Sequence, residues 1–143
     1  MKRIEKNFVE KDKLDIDKLT NRFFDLFTNK EDRIPNVADI KKLFIKEGVI
    51  INNTSGQPLV YGLQDFIAPR EKILKDGTLM EFSEYETSHK TDVFQNIAQR
   101  FCRYKKSGIL NGEFFESEGM KAIQFIKIDT QWKMVSVIWS DTD

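Results

Sequence analysis

The chain has 143 residues, 40% of them apolar and 12 of them phenylalanine, which fits one ordinary domain with a real core rather than two. Lys plus Arg number 23 and Asp plus Glu number 23, so no net field is available to hold nucleic acid or an anionic membrane, and neither is expected as a partner. A single cysteine, Cys102, excludes an intrachain disulfide and a cysteine-based zinc cluster; a single histidine, His89, excludes a histidine-rich metal site.

The opening MKRIEKNFVEKDKLD mixes basic and acidic residues with no apolar run behind them. It predicts neither a secretory signal nor a membrane anchor, hence a cytoplasmic protein with residues 1–12 as a flexible N-terminus. From Leu14 to Phe27, the residues Leu19, Phe23, Leu26 and Phe27 recur at helical spacing, with Asp12 or Asp15 as the cap. Pro35 ends that pattern, and Asn36 is placed to cap a shorter helix running to about Phe44 through Val37, Ile40 and Leu43.

The run GVIINNTSGQPLVYG sets β-branched residues around a turn-rich centre and predicts a small hairpin. Between Gly62 and Gly77, LQDFIAPREKILKD is helical in composition; Pro69 either kinks that helix or starts a fresh one, and Gly77 closes it. Three or four long strands follow, in segments of roughly Leu79 to Val93, Ile97 to Lys105, Phe115 to Ile128 and Trp132 to Ser140, with short breaks suited to antiparallel neighbours. Helices first and a meander afterwards make an α+β fold with the helices on one sheet face.

Three stretches carry a resemblance: LFIKEGVIINNTSGQPLVYG entering the third helix, DVFQNIAQRFCRYKKSG at the central hairpin, and GMKAIQFIKIDTQWKMVSVIWSDTD at the end. In this order and across nearly the whole chain they resemble the NTF2-like (cystatin-like) superfamily, which includes SnoaL-like polyketide cyclases and ketosteroid isomerases, and most closely its uncharacterised SnoaL-like bacterial branch. The resemblance implies one domain over 1–143: three N-terminal helices packed on a strongly curved antiparallel sheet, forming a cone whose open end is a pocket. It also implies a homodimer through the outer sheet face. Val135, Val137 and Trp139 would then point into the cone, with Ala122, Gln124 and Ile126 on the neighbouring strand and Phe23 from the first helix, while Trp132, Met134, Ser136 and Ile138 would point outward.

The isomerase branch needs a carboxylate base and an oxyanion hole of a tyrosine and a protonated aspartate. The resemblance places Asn52 or Asn53 at the base, Phe23 at the tyrosine and Gln124 at the aspartic acid. Asparagine takes no proton at neutral pH and phenylalanine donates no hydrogen bond, so steroid-isomerase chemistry is not expected.

Other residues have a functional and an ordinary reading. His89, near Glu86, Ser88 and Asp92 in sequence, is the best acid/base candidate or a solvated histidine near a hairpin. Glu84 and Glu86, two apart, form a carboxylate pair or, more ordinarily, a solvated strand face. In the layout that the resemblance implies, Arg70 would fall near the pocket mouth, where it would clamp a carboxylate or phosphate; otherwise it pairs with Glu71 or Asp65 on the surface. Arg100, Arg103, Lys105 and Lys106 interleave with Phe101 and Tyr104 but split across two strand faces, which argues for surface or interface over a nucleic-acid track. Cys102 within a strand reads as an inert buried thiol.

The expectation carried forward is a cone that binds a small, largely apolar molecule, with Phe23, Asn52, Arg70, Gln124, Val137 and Trp139 at the pocket. Any chemistry would be of a cofactor-independent acid/base kind. The alternative is a non-catalytic dimeric interaction module whose cone is filled by Phe23, Trp139, Phe101 and Phe125.

Overall fold

The computed structural model describes residues 2–142, with side chains from residue 9 onward. Helix α1 spans Lys2–Asp25, a one-turn helix α2 spans Ile40–Leu43 after two 3-10 turns, and α3 spans Leu63–Lys75. The strands are β1 Phe44–Asn52, β2 Leu59–Gly62, β3 Leu79–Phe94, β4 Ile97–Leu110, β5 Glu113–Ile128 and β6 Gln131–Asp141. They form one six-stranded sheet in the order β2-β1-β6-β5-β4-β3. The architecture is α+β, with helices packed on a curved sheet.

Several expectations are corrected. The first helix starts at Lys2, about three turns before Leu14. Asp12 is buried inside it instead of capping its start: its carboxylate accepts from Trp132 Nε1 and from Lys127 Nζ, each at 3.0 Å. The second helix is a single turn, and Asn36 makes no side-chain cap bond; its Nδ2 donates to Asp39 Oδ2 at 2.9 Å. Pro69 sits within α3 without ending it; the carbonyl that loses its partner there is Asp65's, on the exposed face. The sheet is not wholly antiparallel, since β1 runs parallel to β6.

Strands β4 and β5 extend further than expected and meet at Asn111–Gly112, where φ values of 51° and 82° give the left-handed turn that Asn-Gly favours. The sheet bends at irregularities in register. On β3 these fall between Met80 and Ser83, with Glu81 at φ 51°, and between Glu86 and Ser88; on β6 the extra residue is Val135, since Gln124 pairs with Ser136 while Phe125 pairs with Met134.

The concave face is the core. Ile16, Thr20, Phe23 and Phe24 of α1 lie buried against it, together with Phe66 and Ile67 of α3 and Ile123, Phe125, Met134 and Val137 of the sheet. Asn29 ties the open end together: its amide donates to the carbonyls of Leu74 (3.0 Å) and Leu79 (2.7 Å), and its oxygen accepts from the Phe82 amide (2.7 Å). One side chain thereby joins the segment after α1 to the end of α3 and the start of β3.

Candidate functional site

A cavity of about 310 Å³ lies between α1, α3 and the concave sheet face. Phe23 of α1 and Phe27 in the turn just after it form one wall; Phe66, Arg70, Ile73 and Leu74 of α3 form the next, because steps of three and four keep these residues on one helix face. The sheet contributes Leu79, Phe82, Val137 and Trp139 among its apolar lining. The aromatic wall is built edge to face, with ring centres 5.6 Å apart for Phe23–Phe27, 6.0 Å for Phe27–Phe66 and 6.1 Å for Phe66–Trp139.

Four charged side chains also line it: Arg70, Glu84, Lys106 and Lys121. Lys121 Nζ lies 2.8 Å from Glu84 Oε2 and sits over the rings of Tyr104 (4.2 Å) and Trp139 (5.0 Å). Lys106 Nζ is 3.0 Å from Asp141 Oδ1, and the Tyr104 hydroxyl donates a short hydrogen bond to the same carboxylate. Burial first, and the Asp141 carboxylate second, push the Tyr104 pKa up, so its hydroxyl stays a donor. A Cβ at position 119 would collide with the Ser140 carbonyl and the Tyr104 hydroxyl, so Gly119 is what lets Tyr104 reach Asp141.

Arg70 stacks on Phe66, its guanidinium carbon 3.7 Å from the ring centre, with Tyr61 at 5.2 Å and Trp139 at 5.9 Å. Its Nη1 donates to the Phe66 carbonyl at 3.2 Å. Burial lowers its pKa, the Tyr61 side chain partly opposing this, though a guanidinium stays charged in proteins. The expected surface pairing with Glu71 or Asp65 is absent among the described residues; Glu71 pairs with Lys75.

Of the residues singled out from sequence, Phe23, Arg70, Val137 and Trp139 line this cavity, and Asn52, Gln124 and His89 do not. Gln124 is exposed, its Oε1 accepting from Ser136 Oγ at 3.2 Å, and Ala122 beside it is exposed as well. The reason is register: Trp139 pairs with Lys121 and Val137 with Ile123, and directly opposed residues share a face. Lys121, Ile123 and Phe125 are therefore the inward set of β5. The bulge at Val135 reverses the alternation along β6, so Trp132 and Met134 are buried on the same side as Val137 and Trp139, and Val135 leaves the inward set. Asn52 pairs in register with Trp139, but its Oδ1 accepts from the Thr54 amide at 3.0 Å and closes the turn after β1. His89 is exposed on the edge strand β3.

The carboxylates expected on a solvated face are both inside. Glu84 pairs with Lys121, and Glu86 holds Arg100 by two hydrogen bonds of 2.8 and 2.5 Å. Arg100 also donates to Asp17 of α1 at 2.6 Å and to Thr91 at 3.0 Å. Burial works against this cation, but the bonds to Glu86 and Asp17 outweigh it and raise the pKa. Of the aromatics that would have filled the cone, Phe23 and Trp139 stand in the cavity wall, Phe125 is buried outside the lining, and Phe101 is 57% exposed on the opposite face. Lys121 was missed, and Lys106 and Tyr104, expected at a surface or interface, belong to this inner cluster instead. The signal for Lys121 was its place opposite Trp139, masked because KAIQFIK is apolar in both phases of the strand.

Among the described residues no group of three or more His, Cys, Asp or Glu could hold a metal ion, and no helix is long and apolar enough to cross a membrane. No family model matches the chain and no curated protein matches it. Solved structures do. The Kfla4162 protein from Kribbella flavida aligns at a TM-score of 0.77 with 16% identity, over 94% of this chain and 93% of that one. An NTF2-like superfamily protein from Salmonella enterica serovar Typhimurium aligns at 0.74 with 17% identity, over 92% of each. An NTF2-like protein with a cystatin-like fold from Novosphingobium aromaticivorans aligns at 0.75 with 14% identity, over 98% of this chain and 88% of that one. A two-helix wall, a bent six-stranded sheet and these alignments over nearly full length agree: the chain has the NTF2-like, cystatin-like fold.

Proposed function

We propose that this protein binds a small, largely apolar molecule in the cone. The observation that carries this reading is the open cavity of about 310 Å³, walled by aromatics and provided with a few converging charged groups. Its size falls at the lower end of ordinary ligand pockets, roughly 300–1,000 Å³. For cofactor-independent acid/base chemistry the group the cavity presents is Glu84, held by Lys121, in place of His89.

The test is a thermal-shift panel of small apolar acids, polyketide-like aromatics and steroids on the purified protein, because a ligand that binds only the folded state raises Tm. A rise that disappears in Trp139→Ala supports the pocket. No rise across the panel sinks it and favours the interaction module.

A homodimer through the outer sheet face belongs to the same proposal. Phe101, Ala122 and Ile138 stand side by side in register on β4, β5 and β6, with Phe101 and Ile138 57% and 41% exposed. Such an apolar row suits burial against a second copy.

A further inference from the structure

The head group of the bound molecule follows from the charges in the cavity, granted the pocket reading above. Three cations, Arg70, Lys106 and Lys121, line it against one lining carboxylate, Glu84. Lys121 is matched by Glu84 at 2.8 Å and Lys106 by Asp141 at 3.0 Å. Arg70 alone has no carboxylate within ion-pair distance among the described residues, although it is half-buried and packed on Phe66. A desolvated cation without a counter-charge is costly, and the cost is relieved when an anion arrives. The guanidinium is well prepared for one, since stacking fixes its plane and its fork matches a carboxylate by two parallel hydrogen bonds.

We infer that the cavity takes an amphipathic monocarboxylate, its carboxylate on Arg70 and its apolar body among Phe23, Phe27, Leu74 and Phe82. A single negative charge fits because the two lysines are already neutralised; a phosphate monoester, carrying roughly −1.5 to −2, would leave charge in excess. The body is one or two rings, since the space is about twice the roughly 150 Å³ cavity that holds one benzene.

The test is calorimetric titration with naphthalene-2-carboxylate, its neutral carboxamide and 2-naphthyl phosphate. The expected result is that the carboxylate binds at least about tenfold tighter than the carboxamide, the scale of one charge-assisted hydrogen-bonded pair. In Arg70→Met the carboxylate should fall to the carboxamide's affinity while the carboxamide changes little; Arg70→Gln, which keeps a polar amide, serves if the first variant does not fold. Equal affinity for acid and amide in the unmodified protein, with both lost in Leu74→Trp, overturns the monocarboxylate and leaves the pocket standing. Tighter binding of the phosphate also overturns it. No binding of any of the three overturns the monocarboxylate and the pocket together.

Discussion

Lys121 and Glu84 form an ion pair of 2.8 Å between β5 and β3, with side chains 7% and 11% exposed. The strand between them, β4, contributes Tyr104, whose ring lies 4.2 Å from the ammonium. Each charge is tolerated here because the other is present. Lys121→Met alone and Glu84→Leu alone should each cost about 3–5 kcal/mol, the scale of leaving one buried charge without its partner. The double variant Lys121→Met/Glu84→Leu should recover most of that loss. Urea denaturation of the four proteins measures the coupling, and simple additivity of the two losses would show that the pair is not coupled.

The Asn29 side chain makes three hydrogen bonds to backbone groups around the open end, at Leu74, Leu79 and Phe82. Asn29→Ala leaves two carbonyls and an amide to find other partners, and should cost about 2–4 kcal/mol at roughly 1 kcal/mol or more per bond. Asn29→Asp keeps the acceptor for the Phe82 amide but points carboxylate oxygen at two carbonyls, so it should be no better. Denaturation midpoints check both, and a loss below about 1 kcal/mol in each would mean that water replaces the side chain.

The contrast between Asn29 and Phe23 shows what was legible in the sequence. The stripe containing Phe23 reads directly as one buried helix face, because apolar periodicity is local. The element order and the meander follow from similar local signals, and with them the fold. Asn29 sits in a turn-rich stretch where any polar residue looks solvated, and its partners lie 45 to 53 positions away. The site depends on such distant relations. Gln124 and Lys121 exchange faces on a single step of register, and that step is decided by pairing with β6 and by the bulge at Val135. Glu84 and Glu86 look solvated until Lys121 and Arg100, many residues further on, are brought against them.

Alkaline pH should unfold this protein through the two buried acids of β4. Burial first, then Glu86, pushes the Cys102 thiol up to about 12, and burial followed by Asp141 raises Tyr104 further. The folded state therefore keeps protons that the unfolded chain gives up near pH 8.5 for cysteine and about 10 for tyrosine. Their contribution is complete below the unfolded values and is lost as pH rises toward the folded ones. Tm should decline from about pH 9 upward; Cys102→Ala should flatten the first part of the decline and Tyr104→Phe the part above about pH 10. Iodoacetamide should leave Cys102 unmodified in the folded protein at pH 8. A pH profile identical in all three proteins would refute the assignment.

Phe101 and Ile138 flank Ala122 on the outer face of three adjacent strands, one position each in the same cross-strand row. A stable dimer buries roughly 800 Å² on each partner, and a row of this kind supplies the apolar centre of such a patch while charged neighbours such as Lys90, in register beyond Phe101, supply the rim. Replacing one exposed phenylalanine by glutamate sets two like charges against each other across a two-fold axis, since the same residue returns on both sides. Phe101→Glu should thus turn a dimer into a monomer in light scattering, and Ile138→Glu should do the same, with far-UV circular dichroism unchanged because neither side chain enters the concave core. A monomeric unmodified protein at micromolar concentration, or a dimer indifferent to both substitutions, would place the association elsewhere or remove it.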